Sequence, residues 1–189
     1  LPLIERAAEY LGQRGLVGRR QFELLGAQGR HDAFSVAYHD SIDTLEQIRT
    51  ALRETVEQGA SLREFRKRIG DAMDASPVGP AHVETVYRTN VQSSFHDGHE
   101  TLAQDPIVSE IFPYQEYMAI HDGRVREQHL AMEKLGLDGT NIYRRDDPVW
   151  DRWTPPNGYN CRCGVNLLTV RAAAARGVRE AKEWLRTGR

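Results

Sequence analysis

The sequence has no apolar run approaching the roughly 20 residues that a membrane-spanning helix requires. Nor does it open with a basic stretch followed by an apolar one, so it reads as a soluble protein without an export signal. Charge of one sign is missing too. The 25 basic and 27 acidic residues leave a net −2, so no overall field draws the chain onto nucleic acid, and any DNA affinity would be local and salt-sensitive. Lysine is confined to Lys67, Lys134 and Lys182. The prevalence of arginine reads as genome composition in preference to a set of phosphate forks. Cysteine occurs only at Cys161 and Cys163. One intervening residue strains a disulfide, which leaves free thiols or metal ligands and suits a reducing compartment. Internal repeats and low-complexity tracts are also lacking. The first residue is Leu1, which suggests an excerpt of a longer polypeptide.

What remains is ordinary globular material. Hydrophobic residues make up 40% and charged residues 28% of 189, enough for one domain or two. Ile4–Gln13 and Arg20–Leu25 read as short helices separated by Gly15 and Gly18. From Ser41, the spacing of Ile42, Leu45, Ile48, Leu52 and Val56 predicts an amphipathic helix closed by Gly59. Ser61-Leu62-Arg63-Glu64 matches a capping box, with Leu62, Phe65, Ile69 and Met73 on one face of the helix it opens. Ser76-Pro77-Val78-Gly79-Pro80 is the clearest break. A long helix then carries Val83, Tyr87, Val91, Phe95 and Leu102, until Asp105-Pro106 stops it. On that helix Asn90 reads as a buried amide with its hydrogen bonds satisfied, and Gly98 as a close helix contact.

Beyond Pro113 the pattern alternates. Tyr114, Glu116, Met118 and Ile120 take one side of a strand, with Gln115, Tyr117 and Ala119 on the other. Arg124–Lys134 predicts a short helix, and Gly136–Asn160 an ordered loop rich in Gly, Pro, Asp and Asn. A second strand follows over Cys161–Leu168, with Cys161, Cys163, Val165 and Leu167 on one face, and then a helix or two from Val170, interrupted near Gly177. The expected fold class is α+β: a mostly helical N-terminal lobe over 1–105, then over 106–189 a small antiparallel sheet with flanking helices and a long ordered loop.

Three blocks crowd the second region. They are His121-Asp122-Gly123-Arg124-Val125-Arg126-Glu127-Gln128-His129, Asp146-Asp147-Pro148-Val149-Trp150-Asp151, and Pro155-Pro156-Asn157-Gly158-Tyr159-Asn160-Cys161-Arg162-Cys163. With Tyr87-Arg88-Thr89-Asn90 on the long helix ahead of them, this order resembles the phage Mu protein F-like family, which pairs an Arg-Thr-Asn helix with an Asp-x-Arg-x-Arg-x-x-His block and a Pro-Pro-Asn-Gly…Cys-Arg-Cys loop. The resemblance covers most of the chain. The sequence departs from it at His121, at Glu127 and Gln128, and in Met132-Glu133-Lys134-Leu135-Gly136, where a shorter path to glycine is common. The resemblance implies a minor head protein of a phage or prophage. Such a protein acts in head morphogenesis near the portal, with the portal protein and other capsid components as partners. Phage DNA is a further partner, with which some members are ejected. It also implies a place in the virion interior, or in the host cytoplasm during assembly, and no membrane.

The residues themselves allow several chemistries. His129, Cys161 and Cys163, with His121 as a fourth ligand, could form a tetrahedral zinc site; zinc is the only cofactor they suggest. Against this stands a core of two small thiols beside a hydrogen-bonded His129. A structural network is the second reading, with arginine forks fastening the helix to the Pro-Pro-Asn-Gly loop and Asp122, Asp147 and Asp151 as carboxylate partners. With the family blocks, that set is Arg88 and Asn90, then Asp122, Arg124, Arg126 and His129, then Trp150, Pro156, Asn157 and Arg162. Trp150 and Trp153 would cover it as hydrophobic anchors. A zinc- or thiol-dependent enzyme, with His129 as base and Cys161 or a metal-bound water as nucleophile, is the third reading, and an internal DNA-binding protein the fourth. The first of these rivals is weakened because Cys161 begins no predicted helix that would lower its pKa. Assembly is favoured over turnover, and no catalytic residue is assigned.

Overall fold

The computed structural model describes residues 3–70, 79–103 and 105–188. Backbone contacts divide the chain into two units, Leu1–Gly98 and His99–Arg189, and the division falls within one long helix.

The first unit is helical. Its elements are α1 (Leu3–Gln13), β1 (Gly15–Leu16), α2 (Arg19–Leu24), α3 (Ala27–Asp32), β2 (Ala33–Phe34), α4 (Ile42–Gln58), α5 (Leu62–Arg68) and most of α6 (Pro80–Ala103). Ser41 caps α4 by accepting from the Thr44 N–H, and Gly59 closes it in the left-handed conformation. Leu45, Ile48, Leu52 and Val56 are buried together with Ala7, Ala8 and Leu11 of α1. Ile42, expected on the same stripe, is half exposed at the helix start. The capping box forms: the Ser61 N–H donates to Glu64 Oε2 at 2.7 Å while the Glu64 N–H donates to Ser61 Oγ. Phe65 and Ile69 complete the core, with Val83, Val86, Tyr87, Val91 and Phe95 of α6 against them. Met73 of the expected apolar face, and Ser76, Pro77 and Val78 of the expected break, lie outside the described residues.

Asn90 accepts from Arg14 Nη1 at 3.1 Å and donates to the Val86 carbonyl at 2.9 Å, so its amide is satisfied. A Cβ on Gly98 would stand 3.0 Å from Leu3 Cδ1, the close helix contact expected there. The parallel pairing of β1 with β2 was not expected, because two-residue strands carry no period.

The second unit holds α7 (Pro106–Ile111), β3 (Tyr114–Met118), α8 (Glu127–Ala131), a 3₁₀ turn (Leu137–Gly139), β4 (Ile142–Arg144), α9 (Trp150–Trp153), β5 (Gly164–Leu168), α10 (Val170–Ala175) and α11 (Arg179–Thr187). Its sheet is antiparallel in the order β4-β3-β5, with Glu116 opposite Ile142 on one side and Asn166 on the other. Strand β3 is paired along both edges, and its side chains enter two separate clusters. Tyr114 packs with Ile142, Leu168, Ala173, Ala174, Val178 and Ala181, while Tyr117 and Ala119 join a second cluster with Met132, Tyr143, Cys161 and Cys163.

Several expectations change here. Asp105-Pro106 ends one helix and also starts another, because the Asp105 carboxylate accepts from the Ile107 N–H at 2.9 Å and caps α7. Residues 136–160 are a folded run, not a single loop, and include the edge strand β4, too short to show alternation. The anticipated helix over 124–134 shortens to α8. Finally, β5 begins at Gly164, so the thiols precede the strand; within β5 neither Val165 nor Leu167 is fully buried, and Leu168 is.

Glycine decides the path into β4. A Cβ on Gly136 would fall 2.4 Å from the Ile142 carbonyl oxygen and 2.7 Å from that of Thr140, so only glycine lets the chain fold back this tightly.

Candidate functional site

The Cys-Arg-Cys segment leaves a turn in which the Cys161 N–H donates to the Gly158 carbonyl at 3.2 Å. Met118 pairs with Gly164 at the end of the ladder. That register sets Cys163 just beyond the strand pair, where the Ile120 backbone N–H is directed at its sulfur. His129 sits on the short helix α8, whose N-terminus is oriented by an Asp122 turn: Asp122 Oδ1 accepts from the Arg124 N–H at 2.9 Å. The result brings three of the expected residues together. His129 Nδ1 lies 3.3 Å from Cys163 Sγ and 3.6 Å from Cys161 Sγ. All three side chains are enclosed, with 3%, 2% and 5% exposure for His129, Cys163 and Cys161.

Trp153 stands edge-on to His129 with ring centroids 6.2 Å apart, and Tyr143 is edge-on to Trp150 at 5.4 Å. The indole N–H of Trp150 donates to the Arg144 carbonyl. Both tryptophans therefore pack as anchors over the thiol cluster, while Arg152 stacks on the outer side chain of Trp153. The Tyr143 hydroxyl donates to the Met132 carbonyl at 2.6 Å, and burial pushes its pKa up to about 12.

The two thiols are shifted in opposite directions. The Cys161 side chain hydrogen-bonds to Cys163, which holds the Cys163 thiol well below the usual range and drives Cys161 above it. The His129 ring and the Ile120 backbone N–H also stabilise the Cys163 thiolate, against the opposing effect of burial.

The arginine fastening is partly as expected. Arg162 grips Asp122 through both nitrogens, at 2.5 and 2.8 Å, across forty positions of sequence. That fork holds the Asp122 carboxyl down to about 2, helped by the Arg124 N–H. Arg126 donates to the carbonyls of Asn157 and Tyr159 at 3.3 and 2.8 Å, and Asn157 donates to the Arg152 carbonyl at 2.6 Å. The Pro155–Pro156 bond is cis, with Pro155 buried beneath the loop. Arg124 is exposed, and it contributes its backbone N–H to the turn. Asp147 accepts from the Val149 N–H, capping the turn into α9, while Asp151 is exposed. His121 is exposed too and bonds to Glu133 at 2.9 Å, so the structure does not bring it to the thiols. Arg88 and Asn90 belong to the first unit, where Arg88 pairs with Glu84 on its own helix.

Sequence reasoning missed Tyr117, Met132 and Tyr143 as walls of the cluster. The alternation of β3 put Tyr117 on the face with Ala119 but gave no sign that this face meets the thiols. It also missed three surface ion pairs that bind α10 and α11 to the sheet and turn: Arg176 with Glu116, Arg144 with Glu180 and Arg179 with Asp138.

The geometry defines a small α+β module in which a helix and a loop distant in sequence are locked around a thiol–imidazole cluster. The chain belongs to the family described as phage Mu protein F like protein, whose profile matches residues 46–166. It is 31% identical over 162 residues to the Mu-like prophage FluMu F protein of Haemophilus influenzae, covering 78% of this chain and 37% of that protein. It is 27% identical over 157 residues to "Putative capsid assembly protein F" of Escherichia phage Mu, covering 73% and 34% respectively. The chain thus spans little more than a third of the length of these curated relatives. No solved structure matches it.

Proposed function

We propose that this chain is part of a phage or prophage minor head protein that acts in capsid assembly near the portal vertex. Its partners are the portal protein and other capsid components, and it travels with the DNA on ejection. The observation that carries this reading is the family match over residues 46–166, which contains all the motif blocks, together with the capsid-assembly name of the phage Mu relative. The enclosure of the cluster supports assembly over turnover. A thiol hydrolase needs its nucleophile within reach of substrate, and Cys161 and Cys163 are only 5% and 2% exposed. One cavity in the same unit, about 550 Å³, is lined by Ser109, Tyr114, Arg144, Asp146, Glu180 and Trp184, away from the three.

The test is genetic and biochemical. An inducible phage lacking this gene should yield tails but few infectious DNA-filled heads, and tagged full-length protein should bring down the portal protein from infected cells. Normal heads of normal infectivity without the gene would overturn the proposal. Binding to linear DNA that vanishes at moderate salt, with no portal recovered, would replace it with the DNA-binding reading.

A further inference from the structure

We propose that His129 Nδ1, Cys161 Sγ and Cys163 Sγ bind a zinc ion that pins α8 to the loop preceding β5. The three donor atoms lie within 4.8 Å of one another. Tetrahedral zinc, with bonds of about 2.05 Å to nitrogen and about 2.3 Å to sulfur, sets a nitrogen and a sulfur about 3.6 Å apart. The two nitrogen–sulfur distances here are 3.3 and 3.6 Å, so these two edges of the cage need only a few tenths of an ångström of adjustment, and the sulfurs stand within 4.8 Å of each other. Two thiolates and one imidazole are a donor set that suits zinc over harder divalent ions. Two thiolates also neutralise the dication, which is what a buried site requires.

The surroundings fit a ligand cage as well as the distances do. Backbone N–H groups converge on the sulfurs, Ile120 on Cys163 and both Cys163 and Asn157 on Cys161, the kind of support that orients metal thiolates. Tyr117 supplies a second, independent observation. Its side chain is fully buried and faces Cys163, yet its hydroxyl has no hydrogen-bond partner of normal geometry. A buried hydroxyl in that state is costly; beside a metal it would gain a partner by hydrogen-bonding to a water bound as the fourth ligand. His121 is outside the set, since its ring is exposed and occupied by Glu133. The inference does not depend on the capsid role.

The distances alone also suit N–H···S hydrogen bonds in a dry thiol core, so the experiment reads the metal. Full-length chain made without a histidine tag and kept reduced should contain about one zinc per molecule by mass spectrometry. Stripped with chelator and titrated with cobalt(II), the wild-type protein should develop a thiolate-to-cobalt charge-transfer band and the intense visible bands of tetrahedral cobalt, both bleached by one equivalent of zinc. His121→Ala should retain these bands, and Cys163→Ser should lose the charge-transfer intensity. Zinc near zero as isolated, with no charge-transfer band in the reduced wild-type chain, overturns the proposal, as does loss of metal in His121→Ala with retention in His129→Ala. The decisive readings are made on the wild type, so a variant that fails to fold does not blur them.

Discussion

Replacing Gly136 with alanine should destabilise the second unit while leaving the first alone. The added Cβ would sit 2.4 Å from the Ile142 carbonyl oxygen and 2.9 Å from the Ile142 nitrogen, against an ordinary separation of about 3.5 Å. The backbone must give by about an ångström. It has little room to do so, because Ile142 is fully buried and paired with Glu116 in the sheet. Overpacking of this kind costs about 1–3 kcal/mol. The smaller entropy of an unfolded alanine offsets about 0.4–1 kcal/mol, so the net loss should be about 1–2 kcal/mol. For a unit of this size, that is a fall in Tm of about 4–8 °C per kcal/mol. The assay is convenient because Trp150, Trp153 and Trp184 all belong to the second unit. Tryptophan fluorescence in a urea titration therefore follows that unit by itself. Gly123→Ala is the control, since a Cβ there meets nothing within 4 Å, and it should leave the midpoint unchanged or slightly raised. A Gly136→Ala transition that coincides with wild type would refute the close approach of residues 136 and 142.

Further outcomes follow from the same contacts. Arg126→Ala removes two charge-assisted hydrogen bonds to the Asn157 and Tyr159 carbonyls and, at an exposed site, should cost about 1 kcal/mol in the fluorescence transition; no change would show that the loop holds itself. Ser61→Ala breaks the capping box and should lower the first unit's helical melting transition by about 1 kcal/mol without moving the tryptophan signal. The pH dependence has a definite sign. Asp122 and Glu180 are held below their ordinary values chiefly by the Arg162 and Arg144 side chains, and Asp138 by the Arg179 backbone N–H and then its side chain. Their contribution is complete above the unfolded carboxylate range near about 4 and is lost as pH falls, for Asp122 toward about 2. Asp122→Asn should flatten that acid limb, and an acid limb identical to wild type would remove the Asp122–Arg162 fork from the account.

The helical unit was the more legible part. Ser41, Gly59 and the Ser61–Glu64 box are local signals, each fixed by a hydrogen bond or a backbone conformation within four residues. The stripe on α4 pointed at the core because a 3.6-residue period averages over four turns. The two-residue strands, β4 and α9 gave no such average, and their positions depend on partners elsewhere in the chain. The candidate site divided the same way. Residue types grouped His121, His129, Cys161 and Cys163; the structure brings the last three within hydrogen-bonding distance, and the Asp122–Arg162 fork joins two residues of the expected network. The strand that was to carry the thiols starts three residues later than expected, at Gly164, and no sequence signal tied His121 to Glu133 or set Tyr117 over the sulfurs.

The most direct measurement is thiol labelling of the chelated, folded chain across a low-urea series, with the tryptophan signal recorded in parallel. If α8 and the Cys-Arg-Cys loop are one locked body, Cys161 and Cys163 will react only as fast as the whole unit opens, with the opening free energy of the fluorescence transition, and faster in Arg126→Ala. Rapid labelling of both thiols in native buffer, with the tryptophan spectrum intact, would contradict the lock.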